Sequence, residues 1–312
     1  MSNIQVQLEY FKVVNYALFH NRIPVCQFVE VFNPTDEPVN NLKVLCEGPY
    51  VRKSESTLLP LLKGQATFRF SDFEIVPDLQ QLVSLTERMM TEFTLTVMSG
   101  EEKVFEQVFP LELMAYDQWL GTTTLPQTLV SFVTPNHPMI QSLVVKAAAI
   151  LKGITNQSAF TAYQSGNTND VRAQVAAIFA AIHQSGIIYK EAPASFETVG
   201  QRITMPDQVL STKIGNCIEL SLLFASVLES VGINSGIVLQ KGHAFLAVWL
   251  VNDSCTYSIC DDASFLEKKC SRGIDEMMVL ESTIVTNEQA SFEGAVLAAE
   301  QHLAKHNEFE MF

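Results

Sequence analysis

Residues 214–224 read IGNCIELSLLF. A glycine and an asparagine run straight into a cysteine, and beyond it the chain turns apolar in the manner of a buried helix. Asn216 is a favoured N-cap type, and Glu219, three residues on, stands where a capping box places its acid, so Cys217 falls at the first helical position. Ile218, Leu220, Leu222, Leu223, Phe224, Val227, Leu228 and Val231 then cover most of the helix surface, leaving Glu219, Ser226 and Ser230 as a narrow polar stripe. Gly232 ends the helix. A helix apolar nearly all round lies in the middle of its domain. The thiol at its start meets unsatisfied backbone N–H groups and the positive end of the helix, which favour thiolate and would also hold an oxyanion. An isolated interior cysteine more often only fills space, so a second group has to decide.

That group is His243. GIVLQKGHAFLAVWLV (236–251) reads as strand, turn and strand, Ile237 to Gln240 and then His243 to Val251. The second strand is apolar on both faces, with Ala244, Leu246, Val248 and Leu250 on one and Phe245, Ala247 and Trp249 on the other, the pattern of a central strand. His243 opens it on the Phe245 face. A helix-start cysteine with a histidine at the mouth of a core strand is what Cys-His nucleophilic catalysis requires, and a histidine bonded to a loop carbonyl is the structural alternative.

A third group should orient the imidazole. Glu281 lies in MVLESTIV (278–285), read as a strand with Val279, Glu281, Thr283 and Val285 on one face and Met278, Leu280 and Ile284 on the other. An ionised carboxylate there is costly unless paired, and a neighbouring histidine is the available partner, so Glu281 is the preferred orienter. Asp261 and Asp262 are the alternatives, though adjacent acids before SFLEKKCSRG equally suit a helix start. Gln208, nine residues before Cys217, is an amide that could serve an oxyanion site or cap local backbone.

Outward from this region the chain changes character. Over the first ~120 residues apolar and polar residues alternate, as in IQVQLEY, LKVLC, ATFRF and FTLTV, with turns at NPTDEP and SGEE. This predicts an antiparallel, Ig-like β-sandwich over 1–118, with Tyr116 to Pro126 as linker. HPMIQSLVVKAAAILKGI (137–154) and NDVRAQVAAIFAAIHQSGI (169–187) carry helical spacing, each closed by a glycine, Gly153 and Gly186. The expected architecture is α+β, with a second domain over 119–312. His137 and His183 lack metal-ligand spacing and are expected to pack or cap.

With 312 residues, 47% of them hydrophobic, the chain can bury sizeable cores. A net charge of -14 and a pI near 4.8 argue against a sequence-independent grip on nucleic acid. The N-terminus lacks a basic region followed by an apolar block, and no run reads as a membrane span, so a cytoplasmic setting is expected. Cys26, Cys46, Cys217, Cys255, Cys260 and Cys270 are then expected as free thiols. Cys255, Cys260 and Cys270 form no Cys-x-x-Cys pair and have no histidine nearby, so no metal and no cofactor is expected.

PDQVLSTKIGNCIELSLLFASVLESVGI, GHAFLAVWL and VLEST resemble the three signature segments of the transglutaminase-like cysteine enzymes. The resemblance implies a papain-like α+β domain in which Cys217 is nucleophile, His243 base and Glu281 orienter, with Gly215, Ala244, Phe245 and Thr283 on the pattern. Phe245 stands where tryptophan is usual, Ala247 where an acid is frequent and Glu281 where aspartate is usual. Nearly the whole chain, through segments such as VEVFNPTDEPVNNLKV, FPLELMAYDQW and ASFETVGQRITMPDQVL, also resembles the N-terminal region of large bacterial proteins. In those, such a module precedes a helicase core and a Vsr-like nuclease. The thiol-enzyme resemblance implies a protein or peptide substrate, and the second implies a helicase or nuclease region, in the same or another chain, as a candidate partner. Two classes of function stay open: a thiol acyl-transferring or amide-hydrolysing module, and an inactive recognition or scaffold module of the same fold.

Overall fold

The computed structural model describes residues 4–191 and 200–312, so residues 194–199 of the segment ASFETVGQRITMPDQVL lie outside the described residues. The chain divides into two compact units, 1–119 and 120–312.

The first unit contains β1 (Gln5–Tyr10), β2 (Val13–Val14), helix α1 (Tyr16–His20), β3 (Cys26–Asn33), β4 (Val39–Gly48), β5 (Val51–Glu55), β6 (Leu59–Leu62), β7 (Ala66–Phe70) and β8 (Val76–Pro77). Helix α2 (Leu79–Ser84), β9 (Met89–Ser99), β10 (Glu102–Leu113) and β11 (Gln118–Trp119) complete it. β1, β3 and β7 form one antiparallel sheet, while β2, β10, β9, β4, β5 and β8 follow one another in a second sheet that β6 joins at β4. Alternation decides the faces. Val29, Val31 and Phe70 of the first sheet and Leu42, Val44, Phe93, Leu95 and Val97 of the second enter a single buried cluster. Phe68, expected on that inner face, is instead exposed. The stretch expected as a linker begins inside the unit, since Trp119 in β11 is fully buried.

The second unit opens with a 3-10 turn, Pro126–Phe132. It continues through α3 (Pro138–Thr155), α4 (Thr168–His183), β12 (Ile188–Tyr189), β13 (Gln201–Arg202), α5 (Pro206–Thr212), β14 (Ile214–Gly215) and α6 (Cys217–Ser230). Then come β15 (Ser235–Gln240), β16 (His243–Trp249), α7 (Ala263–Cys270), β17 (Met277–Leu280), α8 (Phe292–Leu303) and β18 (Phe309–Met311). The antiparallel sheet runs β17-β16-β15-β18. β16 is central and buried on both faces. Leu246 and Val248 pack into the cluster that holds Leu220, Leu223 and Phe224 of α6, whereas Phe245, Ala247 and Trp249 pack with Leu266, Ala299 and Leu303 of α7 and α8.

Three local expectations are corrected. Gly153 does not close α3, which runs on to Thr155 and ends on Asn156 in the left-handed region, a conformation asparagine tolerates. α3 is also long and apolar enough to cross a membrane by length and composition. Its Ile140, Leu143, Ala147 and Leu151 nevertheless form one buried stripe, the mark of a helix packed on a core. Finally, the strand expected through Val285 stops at Leu280. Glu281 becomes the N-cap of a 3-10 turn, Ser282–Thr286, because its side chain accepts from Thr283 N and turns the chain.

Candidate active site

The start of α6 is held from both sides. Asn216 is extended (φ -102, ψ -176), its Oδ1 accepts from Glu219 N at 3.0 Å, and Glu219 Oε2 accepts from Asn216 N at 2.9 Å. This is the capping box read from the sequence. Glu219 is 1% exposed, a cost that a cap alone would not offset. Its Oε1 also accepts from Thr204 N at 2.9 Å and pairs with Lys190 Nζ at 3.0 Å, while Lys190 donates to Thr204 Oγ1 at 3.0 Å. One buried carboxylate therefore ties β12, the segment after β13 and the helix together at the residue next to the cysteine. Gly215 belongs to the same device, because a Cβ there would stand 3.2 Å from Val209 Cγ1.

Cys217 is 3% exposed. Its carbonyl accepts from Ser221 Oγ at 2.8 Å and from Ser282 Oγ at 3.3 Å, and the two hydroxyls lie 3.0 Å apart. Ser282 follows Glu281, so the start of α6 is fastened to the turn that carries Glu281. His243 sits at the start of β16, with Nε2 donating to Glu281 Oε2 at 2.7 Å, and the Cys217 thiol neighbours its ring. Glu281 Oε1 accepts from Thr283 N at 3.0 Å and from Thr283 Oγ1 at 2.6 Å. The carboxylate thus has one oxygen fixed by its own turn and the other aimed at the imidazole.

The charges follow from this geometry. Desolvation pulls His243 down, but the hydrogen bonds to Cys217 and Glu281 and their charges outweigh it and raise His243 to about 10. Desolvation pushes Glu281 up, yet His243 and the two Thr283 donors hold it below its ordinary value. His243 is therefore an imidazolium at neutral pH, facing an ionised Glu281. Tyr189, on β12 in register with Gly215, is raised to about 12 by desolvation and then by the neighbouring Cys217. Tyr189 stays protonated.

The structure thus brings Cys217, His243 and Glu281 together. Asp262 is the N-cap of α7, accepting from Ser264 N at 2.9 Å, and Asp261 beside it is exposed. Gln208 lies half-buried on α5, where its carbonyl accepts from the Ser211 and Thr212 hydroxyls. His137 caps α3, and His183 Nδ1 lies 2.9 Å from Val285 O.

Sequence reading missed His302. It lies near the end of α8, its ring 4.6 Å from that of His243 and its Nε2 3.9 Å from Glu281 Oε2. Desolvation and the His243 charge lower its pKa. Among the described residues, His243, Glu281 and His302 are the one trio of possible metal ligands, with ligand atoms within 4.8 Å of one another. No spacing in the chain signals it. Tyr189 and Lys190 were missed for the same reason, since only the fold sets β12 against β14.

This site and the helix, sheet and helix packing around it are those of a cysteine-centred α+β domain. The family model of the transglutaminase-like superfamily matches residues 158–261, a range that takes in Cys217 and His243 and stops short of Glu281. Comparison with curated proteins gave no match. Among solved structures, the chain is similar to a candidate late embryogenesis abundant protein at 13% identity and a TM-score of 0.20, over 36% of this chain and 69% of that one. It is also similar to a candidate protease from Parabacteroides distasonis at 10% identity and a TM-score of 0.23, over 83% of this chain and 46% of that one. This chain spans less than half of that protein's length, and at such scores neither likeness bears on the fold.

Proposed function

We propose that the second unit is a thiol enzyme of the papain-like architecture that attacks amide carbonyls. The Cys217 proton rests on the His243 ring, the imidazolium that Glu281 engages at Nε2. The sulfur adds to a carboxamide or peptide carbonyl, the resulting oxyanion draws on backbone N–H groups at the start of α6, and the imidazolium protonates the departing amine. Water or an incoming amine then opens the thioester and regenerates the thiol. The observation that carries this reading is the His243 to Glu281 contact of 2.7 Å on an imidazole beside Cys217.

An Ig-like form for the first unit is supported by its two sheets around one core, and the resemblance of long segments to helicase-nuclease proteins supports a place in a cytoplasmic system of that kind. The low exposure of Cys217 favours a second reading, a recognition module that keeps the fold without turnover.

Incubating the chain with a glutamine-bearing protein and a fluorescent primary amine separates these readings. The thiol-enzyme reading expects amine incorporation, ammonia release or new peptide termini, and expects Cys217→Ala to abolish it. None of the three in the wild-type chain would leave the recognition module as the better account.

A further inference from the structure

We propose that His243, Glu281 and His302 form a site for a divalent transition metal of the zinc class, and that its occupation takes His243 out of thiol chemistry. The metal site stands on its own geometry, while the inhibitory consequence rests on the thiol-enzyme reading.

Two imidazoles and one carboxylate suit zinc and its neighbours rather than magnesium or calcium, which favour oxygen ligands. A tetrahedral zinc with bonds of about 2.0 to 2.1 Å sets its ligand atoms ~3.3 Å apart. The Nε2 atoms of His243 and His302 lie 2.7 and 3.9 Å from Glu281 Oε2, and all three ligand atoms lie within 4.8 Å of one another, so small side-chain movements close the site. Glu281 is already set for ligation, because Thr283 occupies Oε1 and leaves Oε2 toward both rings. Gln240 Nε2 donates to the His302 carbonyl at 2.8 Å and fixes the end of α8 against the sheet.

Nor does ordinary packing account for His302. Its Nδ1 is buried with no hydrogen-bond partner, so no structural hydrogen bond on that side explains an imidazole there. The His243 and His302 side chains are 21% and 31% exposed, so solvent reaches both rings.

Binding balances simply. The Nε2 proton of the His243 imidazolium goes to solvent while Nδ1 keeps its own, the Nε2 lone pair and Glu281 Oε2 bind the ion, and the hydrogen bond between them gives way to two metal bonds. A ring with Nε2 on the cation and a proton on Nδ1 has no lone pair left, so it takes no proton from the thiol.

The test uses the full chain after chelator treatment, titrated with zinc alone by calorimetry and with cobalt(II) for its absorption spectrum. The expected result is one equivalent bound, ligand-field bands without a sulfur-to-cobalt band, and binding kept in Cys217→Ser. Loss of one ligand in His302→Ala should weaken binding by about 10- to 100-fold or more. His302→Gln, checked for native circular dichroism, serves if the alanine variant does not fold. Zinc should also slow iodoacetamide alkylation of Cys217 in the wild type by about tenfold or more, in line with loss of a general base, and leave the His302 variant unslowed at the same concentration. Binding indifferent to His302, or a sulfur-to-cobalt band lost in Cys217→Ser, would overturn the site. His302-dependent binding with no effect on alkylation overturns the inhibition alone. Alkylation without metal that ignores His243 would instead count against the thiol-enzyme reading, and the cobalt spectrum would still judge the site.

Discussion

At the scale of single residues, His243 stands between an acid and a thiol, and its charge sets what the trio can do. The pair contributes to stability over a defined pH window. Glu281, held below its ordinary 4.5, contributes above that value and loses the contribution as pH falls through its folded pKa. His243, raised from 6.5 to about 10, contributes fully below 6.5 and loses it as pH rises through about 10. The melting-temperature gap between the wild type and Glu281→Gln should be widest between 4.5 and 6.5 and close toward both extremes. A gap that ignores pH would show that the two groups do not form an ion pair. The acid was legible because an ionised carboxylate among apolar residues demands a partner. Its turn was not, since MVLESTIV alternates like a strand and only the Glu281 bond to Thr283 N breaks the pattern. His302 was illegible, because its neighbourhood exists only once α8 docks on β17.

Among the elements, α6 carries the clearest signal from sequence to site. Its apolar circumference puts Leu220, Leu223 and Phe224 in the core, each such side chain contributing about 1.5 to 3 kcal/mol, and that burial fixes where residue 217 points. Its capping box was readable from Asn216 and Glu219 alone, whereas the tie from Glu219 to Lys190 and Thr204 was not, because they come from distant segments. Asn216→Ala should cost about 1 to 2 kcal/mol, the usual value of a cap. Glu219→Ala should cost more, about 3 kcal/mol or above, because it also strands buried donors. Chemical denaturation with the slope unchanged reads both. Equal costs would reduce Glu219 to a cap.

For the whole molecule, charge and layering matter more than any one contact. The period-two alternation made the first unit's strands readable, since each has one face on a shared core, yet Phe68, on the same side of β7 as buried Phe70, is itself exposed. Pairing order among the strands was not readable, because alternation fixes faces and leaves neighbours open. With a net charge of -14, the chain should leave duplex DNA unshifted in a gel at about 0.15 M salt, where phosphate-led binding needs clustered lysine and arginine. A salt-sensitive shift would reveal a basic surface that composition hides.

In the proposed function His243 activates Cys217, and iodoacetamide labelling mapped by peptide mass tests this most directly. Burial raises Cys26 to about 11 and both Cys46 and Cys270 to about 12, so these should stay unlabelled at neutral pH. Cys217 should label about tenfold or more faster in the folded chain than in the denatured one, and His243→Ala should remove that advantage. Labelling of Cys217 no faster than in the denatured chain, or equally fast without His243, would contradict the account.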